Sequence, residues 1–96
     1  MVQLIIKPLA LQDLEEIWLY TFHTWSIHQA DFYQDQLYYG MQLLSENNKI
    51  AKNISLNSQA YLYYKVNHHY IFSRFENNQL IIIRILHEKM DFVRHL

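Results

Sequence analysis

The spacing of apolar positions changes period three times along the chain, and each change marks a new kind of element. Val2 to Lys7 reads as a short strand, closed by Pro8, whose fixed φ suits a helix start. From Leu9 the repeat becomes three and four: Ala10, Leu14, Ile17, Trp18, Thr21 and Trp25 share a stripe, which predicts core packing for both tryptophans. Asp13, Glu15 and Glu16 are expected near the positive end of that helix dipole. Ser26 and Gln29 have the spacing of a capping box. A second helix, with Ala30, Tyr33, Leu37, Met41 and Leu44 on its inner stripe, should run from there to about Glu46. The junction is too short for anything but an antiparallel hairpin. Gly40, the only glycine, lies inside this helix at a cost of about 1 kcal/mol against alanine, and predicts close approach of another backbone.

Asn47 to Gln59 has no clear period and is expected to be a surface loop. Tyr61 to Val66 and His69 to Phe75 are rich in aromatic and β-branched residues and read as strands joined at Asn67-His68, with Asn67 left-handed. After the turn-like Glu76-Asn77-Asn78-Gln79 comes Leu80 to His87, an aliphatic run expected to be the central strand, covered on both faces. Strict alternation would place Arg84 with Leu80, Ile82 and Leu86, opposite Ile81, Ile83 and Ile85. A guanidinium on an apolar face needs a partner, either a carboxylate such as Asp91 or a bound macromolecule. Glu88 to Leu96 is a polar tail. The expected fold is α+β: a strand, an antiparallel helix hairpin and a three-stranded antiparallel meander, forming one domain over residues 1–96. Both helices should pack on one face of the sheet, leaving the partly aromatic other face for a partner.

Composition narrows the function. The hydrophobic fraction of 51% and aromatic fraction of 16% suffice for one core, while 18% charged residues imply uncharged surface suited to a partner. Absence of cysteine removes disulfides and thiolate chemistry and fits a reducing cytoplasm. No stretch approaches the roughly 20 apolar residues of a membrane span. A net charge of -1 gives no global positive field, which argues against a protein that grips nucleic acid unaided. His68 and His69 would point to opposite faces of a strand, against a paired metal site, and His23 and His28 read as solvated. Glu15 and Glu16 are adjacent rather than one turn apart, so paired-carboxylate catalysis is not supported. No cofactor or metal is expected.

Asp13-Leu14-Glu15-Glu16-Ile17-Trp18, Tyr20-Thr21, Trp25, Gln29-Ala30 and Tyr33 resemble the helix hairpin of the RelE/ParE family of type II toxins, and Asn47, Ile50 and Lys52 its loop. His69-Tyr70-Ile71-Phe72 with Arg74, then Ile83-Arg84-Ile85-Leu86-His87, Met90-Asp91 and Arg94-His95-Leu96, resemble the carboxy-terminal signature of its ParE branch. The resemblance implies a plasmid-stabilisation type of toxin in a hetero-oligomer with a ParD-like or other small DNA-binding antitoxin, touching DNA only through that antitoxin. It also implies one of two activities: non-enzymatic poisoning of DNA gyrase, or ribosome-dependent cleavage of mRNA. Cleavage without metal needs a base, an acid and cations around the phosphorane, for which Arg74, Arg84, His87, Lys89, Arg94 and His95 are the candidates, the first four as a catalytic set. The cations are few and gather mainly at one end, which favours the gyrase reading, with Arg84, His87, Lys89 and Arg94 as target contacts and Trp18, Tyr61, Tyr63 and Tyr70 as antitoxin contacts. The sequence departs from the family at Ser58-Gln59-Ala60-Tyr61-Leu62, which lacks a cation, and at Ser73, Lys89 and Ala51. These departures leave a third reading, an attenuated toxin that only binds its antitoxin.

Overall fold

The structure, a computed structural model, describes residues 2–96. Strand β1 (Gln3–Ile6) leads directly into helix α1 (Pro8–Thr24), with Pro8 in the first turn, and α1 turns back into helix α2 (Ile27–Glu46). Ser26 opens α2 by accepting the Gln29 N–H at 3.1 Å. A single 3₁₀ turn, Asn48–Ile50, precedes β2 (Lys52–Leu56), β3 (Gln59–Val66), β4 (His69–Glu76) and β5 (Gln79–His87). A one-turn helix, α3 (Phe92–His95), ends the chain.

The α+β class and the helix layer are as the hydropathy pattern predicts, but the sheet has five strands in the order β1-β5-β4-β3-β2. Strands β2 to β5 form an antiparallel meander of four rather than three, and β1 joins β5 in parallel. The segment expected to be loop contains β2, an edge strand whose Lys52, Asn53 and Ser55 are exposed and whose Ile54 and Leu56 are only half-buried. Its turn into β3 uses Asn57 and Ser58, both left-handed at φ 52 and 63, and Asn77 and Asn78 serve the β4–β5 turn in the same way at 51 and 58. Asn67 is left-handed at φ 54, as expected.

Ala10 and Leu14 of α1 and Leu37, Met41 and Leu44 of α2 are buried against Ile71, Leu80, Ile82 and Ile85 of the sheet. Gly40 faces side chains of the sheet, not a backbone as expected: a Cβ there would lie 2.6 Å from Val66 Cγ2 and 3.5 Å from Ile71 Cδ1. The strand run 80–87 lies between β1 and β4, with β4 at the middle of the sheet. Its predicted alternation fails at a β-bulge. Phe72 is opposite Arg84 but Ser73 is opposite Ile82, so Ile83 is an extra residue and the face presented shifts. Leu80, Ile82 and Ile85 therefore join the helix-side core, whereas Leu86 joins Tyr61 and Phe72 on the other side. That other side is not left open. Phe92 and Leu96 fold back over it, with the Phe92 ring 4.9 Å from Phe72 and 5.4 Å from Tyr70, so the polar tail is a strap.

Candidate functional site

β1 is four residues long and β5 is nine, and that mismatch creates the site. Pairing of the two stops at Ile6 and Ile82, after which the Lys7 N–H donates to the Ile82 carbonyl at 3.0 Å and the chain turns into α1. The remaining edge of β5 faces α1 instead of a strand. There the Asp13 carboxylate occupies the place of the missing neighbour: Oδ2 accepts the Ile85 N–H at 2.9 Å and Arg84 Nε at 2.8 Å, and Oδ1 accepts Arg84 Nη2 at 2.8 Å. Arg84 Nη1 donates to the His95 carbonyl at 3.0 Å, tying α3 to the same point. The two-pronged pair raises the Arg84 pKa further. Arg84 is thus paired with Asp13 and not with Asp91, which instead caps α3 by accepting the Val93 N–H at 3.2 Å. Asp13 is not a dipole partner either, because it lies beyond the first turn of α1, where the dipole effect fades, and its carboxylate is buried.

Beside this pair a groove of about 950 Å³ runs between the last turns of α1, the start of α2 and the ends of β4 and β5. Ile17, Tyr20, Trp25, Tyr33, Ile85 and Met90 supply its apolar wall. Trp25 belongs to this rim and is 74% exposed, not core: α1 ends at Thr24, and the non-helical Trp25, φ -124 and ψ -83, takes its ring off the stripe. His68, His69, His87 and His95 also line the groove. Each of the first three has a polar contact. His68 Nδ1 lies 2.7 Å from Glu88 Oε2, His69 Nδ1 bonds the Tyr33 hydroxyl at 2.5 Å, and His87 Nδ1 accepts the Lys89 N–H at 3.2 Å. Burial, then the nearby His87 and His68, push His69 down to about 4. Hydrogen bonds from Lys65 and His68 hold Glu88 down to about 2. Among the described residues no group of three or more His, Asp or Glu is placed to hold a metal ion.

The sequence-derived site residues separate in space. Arg84 and His87 share the groove, while Lys89 and Arg94 are exposed beyond the strand end. Arg74 is elsewhere: it faces the β2–β3 side, donates to Gln59 Oε1 and to the Ala60 carbonyl, and lies 4.9 Å over the Tyr61 ring. Trp18 is half-buried in the helix layer, its indole N–H donating to Asp31 Oδ1 at 2.9 Å to join α1 to α2. Tyr61, Tyr63 and Tyr70 lie on the opposite face of the sheet, Tyr61 buried and the other two half-buried beside the strap. The four do not form one surface. Sequence reasoning missed Asp13, Tyr33 and Glu88, which follows β5 and pairs with Lys65 and His68. Asp13 had one detectable signal, an acid falling at the spacing of Ala10, Leu14 and Ile17.

The family model for the ParE toxin of the type II toxin-antitoxin system parDE matches residues 4–92. The chain belongs to that family. Toxin ParE1 of Mycobacterium tuberculosis, in strains CDC 1551 / Oshkosh and ATCC 25618 / H37Rv, is 29% identical over 93 residues, covering 96% of this chain and 95% of the relative. The solved structure of a chromosomal ParDE system from P. aeruginosa superposes with a TM-score of 0.79 at 13% identity, over 91% of this chain and 96% of that one, a likeness of fold. The matched span of the ParE family takes in β1, the hairpin, the meander, Asp13 and Arg84, and ends at Phe92.

Proposed function

We propose that this ParE-family toxin acts in the cytoplasm without catalysis, by binding DNA gyrase, and is neutralised by a cognate antitoxin that folds around it. The observation supporting a non-enzymatic reading is the commitment of the would-be catalytic cations. Arg84 is locked to Asp13, and Arg74 is held by Gln59, Ala60 and Tyr61 on another side of the sheet. Neither guanidinium is available to a phosphorane beside His87 and Lys89. Docking requires surface only, and the groove rim with Tyr20 and Trp25, together with the exposed Lys89 and Arg94, provides it.

The cluster of imidazoles in the groove favours one competing reading, a ribosome-dependent mRNA endoribonuclease. The test is a gyrase supercoiling and cleavage assay run beside an mRNA cleavage assay on programmed ribosomes. Trapped linear DNA with intact message is the expected result. Codon-spaced cuts with untouched gyrase would establish the ribonuclease instead, and inactivity in both with tight antitoxin binding would identify an attenuated toxin.

A further inference from the structure

The groove beside the Asp13–Arg84 pair holds hydrogen-bond donors that the protein itself leaves unused. The Lys89 N–H donates to His87 Nδ1 at 3.2 Å, so the His87 proton sits on Nε2. Tyr33 fixes a second ring in the same way. Its hydroxyl accepts the His68 N–H at 3.3 Å and stands 2.5 Å from His69 Nδ1, which is left as the acceptor for the phenolic proton. Burial keeps His69 uncharged, its pKa lowered to about 4, so its proton is also on Nε2. Among the described residues neither Nε2–H has an acceptor, and neither nitrogen is sealed from the groove. The two ring centroids are 5.1 Å apart, close enough for one atom of a bound molecule to reach both donors.

The rest of the lining sets the charge and shape of what fits. Among the described residues Arg84 is the one lysine or arginine on the groove, and its Nε and Nη2 both bond Asp13. Glu16 receives only the neutral amide of Gln12, at 3.2 Å, and leaves the groove with a surplus negative charge. An anion is therefore repelled, while a cation meets N–H groups on the imidazole wall where it needs acceptors. Trp25 and Tyr20 place two exposed rings on the rim, and Ile17 and Met90 continue the apolar wall. Apolar surface with a pair of fixed donors, in about 950 Å³, has the composition and size of a small-molecule site.

We propose that this groove binds an uncharged, planar aromatic small molecule carrying a ring carbonyl. The carbonyl oxygen accepts the Nε2–H groups of His69 and His87, one for each lone pair, and the ring lies against Trp25. Such a ligand sits beside the rim proposed for gyrase docking and competes with a protein that covers it, which makes the toxin responsive to a metabolite-sized signal. The site itself does not depend on the gyrase reading.

Quinazolinone, a neutral two-ring carbonyl compound, is the probe, with naphthoate and naphthylmethylammonium as charged counterparts of similar size. Ligand-observed NMR and tryptophan fluorescence on the whole chain should give the quinazolinone a Kd of about 1 mM or tighter, as expected for a fragment of that size, and both ions a Kd at least about tenfold weaker. Long-range proton–nitrogen spectra of the imidazoles should show His69 and His87 in the Nε2–H form and should move both on titration. His87→Phe keeps a ring, removes one donor and should weaken binding about fivefold to tenfold. Trp25→Ala, at an exposed position, should weaken it as well, with the fold intact by circular dichroism. Absence of binding, tighter binding of either ion, imidazole resonances that stay still, or unchanged affinity in both variants would each overturn the proposal. The gyrase assay is run without the probe, so either result can fail while the other stands.

Discussion

Replacing Asp13 by alanine would leave the Arg84 guanidinium half-buried without its counter-charge and the Ile85 N–H without its acceptor. Urea unfolding should show a loss of about 3–5 kcal/mol. The double variant Asp13→Leu/Arg84→Met should recover most of that, because the cost lies in stranding one charge. That Arg84 needs a partner is legible in the sequence; its identity is not, since the pair is separated by 71 residues and Asp13 also fits a solvated helix start. Ser73 is a second residue-scale case. It is fully buried, and among the described residues its hydroxyl has no hydrogen-bond partner. Ser73→Ala should therefore be neutral or stabilising by up to about 1 kcal/mol in the same measurement. His69 supplies the pH dependence. Its folded-state pKa is depressed from 6.5 to about 4, so the unfolded chain binds the extra proton between those values. The contribution is full above pH 6.5 and is lost as pH falls from 6.5 towards 4, by on the order of 2 kcal/mol, since the partly wet ring forfeits some of the linkage value. Urea titrations at several pH values should show that slope in the native chain and a flatter one in His69→Gln. Glu88 acts lower, its contribution disappearing between pH 4.5 and 2.

At the scale of elements, both long helices and four of the five strands, β1, β3, β4 and β5, are readable in the sequence pattern. β2 is not, because it pairs on one side only and shows too few buried positions for a period-2 signal. Its Asn57-Ser58 turn also lacks the glycine that usually announces a hairpin. The bulge at Ile83 is invisible for a different reason: a run of isoleucines fits either face equally well, so only pairing with β4 decides which side each residue takes. Helix α2 meets the sheet through Gly40, and a methyl group there would press on the stiff, branched Val66 at 2.6 Å. Gly40→Ala should cost about 1–3 kcal/mol despite its better helix propensity, and Val66→Ala in the same chain should relieve much of the penalty, as thermal melts of the single and double variants can measure. The α3 strap is equally testable. Phe92→Ala removes the ring that touches Phe72 and Tyr70 and should lower stability by about 2–4 kcal/mol while increasing dye binding to the exposed aromatic face.

Across the whole molecule, the helix layer and the sheet are unequal partners. The hairpin holds no Lys or Arg to neutralise its acids, and its inner stripe of Ala10, Leu14, Leu37, Met41 and Leu44 has no cover except the sheet. A peptide of residues 8–46 should accordingly show under about half the helical ellipticity of the same segment in the folded chain. The sheet in turn begins with a strand whose neighbour is made last: Gln3 to Ile6 lie against Gln79 to Ile82. During synthesis this strand must wait for its neighbour until residues 79–82 have emerged. A ribosome that stalls before β5 consequently releases a product in which β1 has no partner strand and the core is not closed.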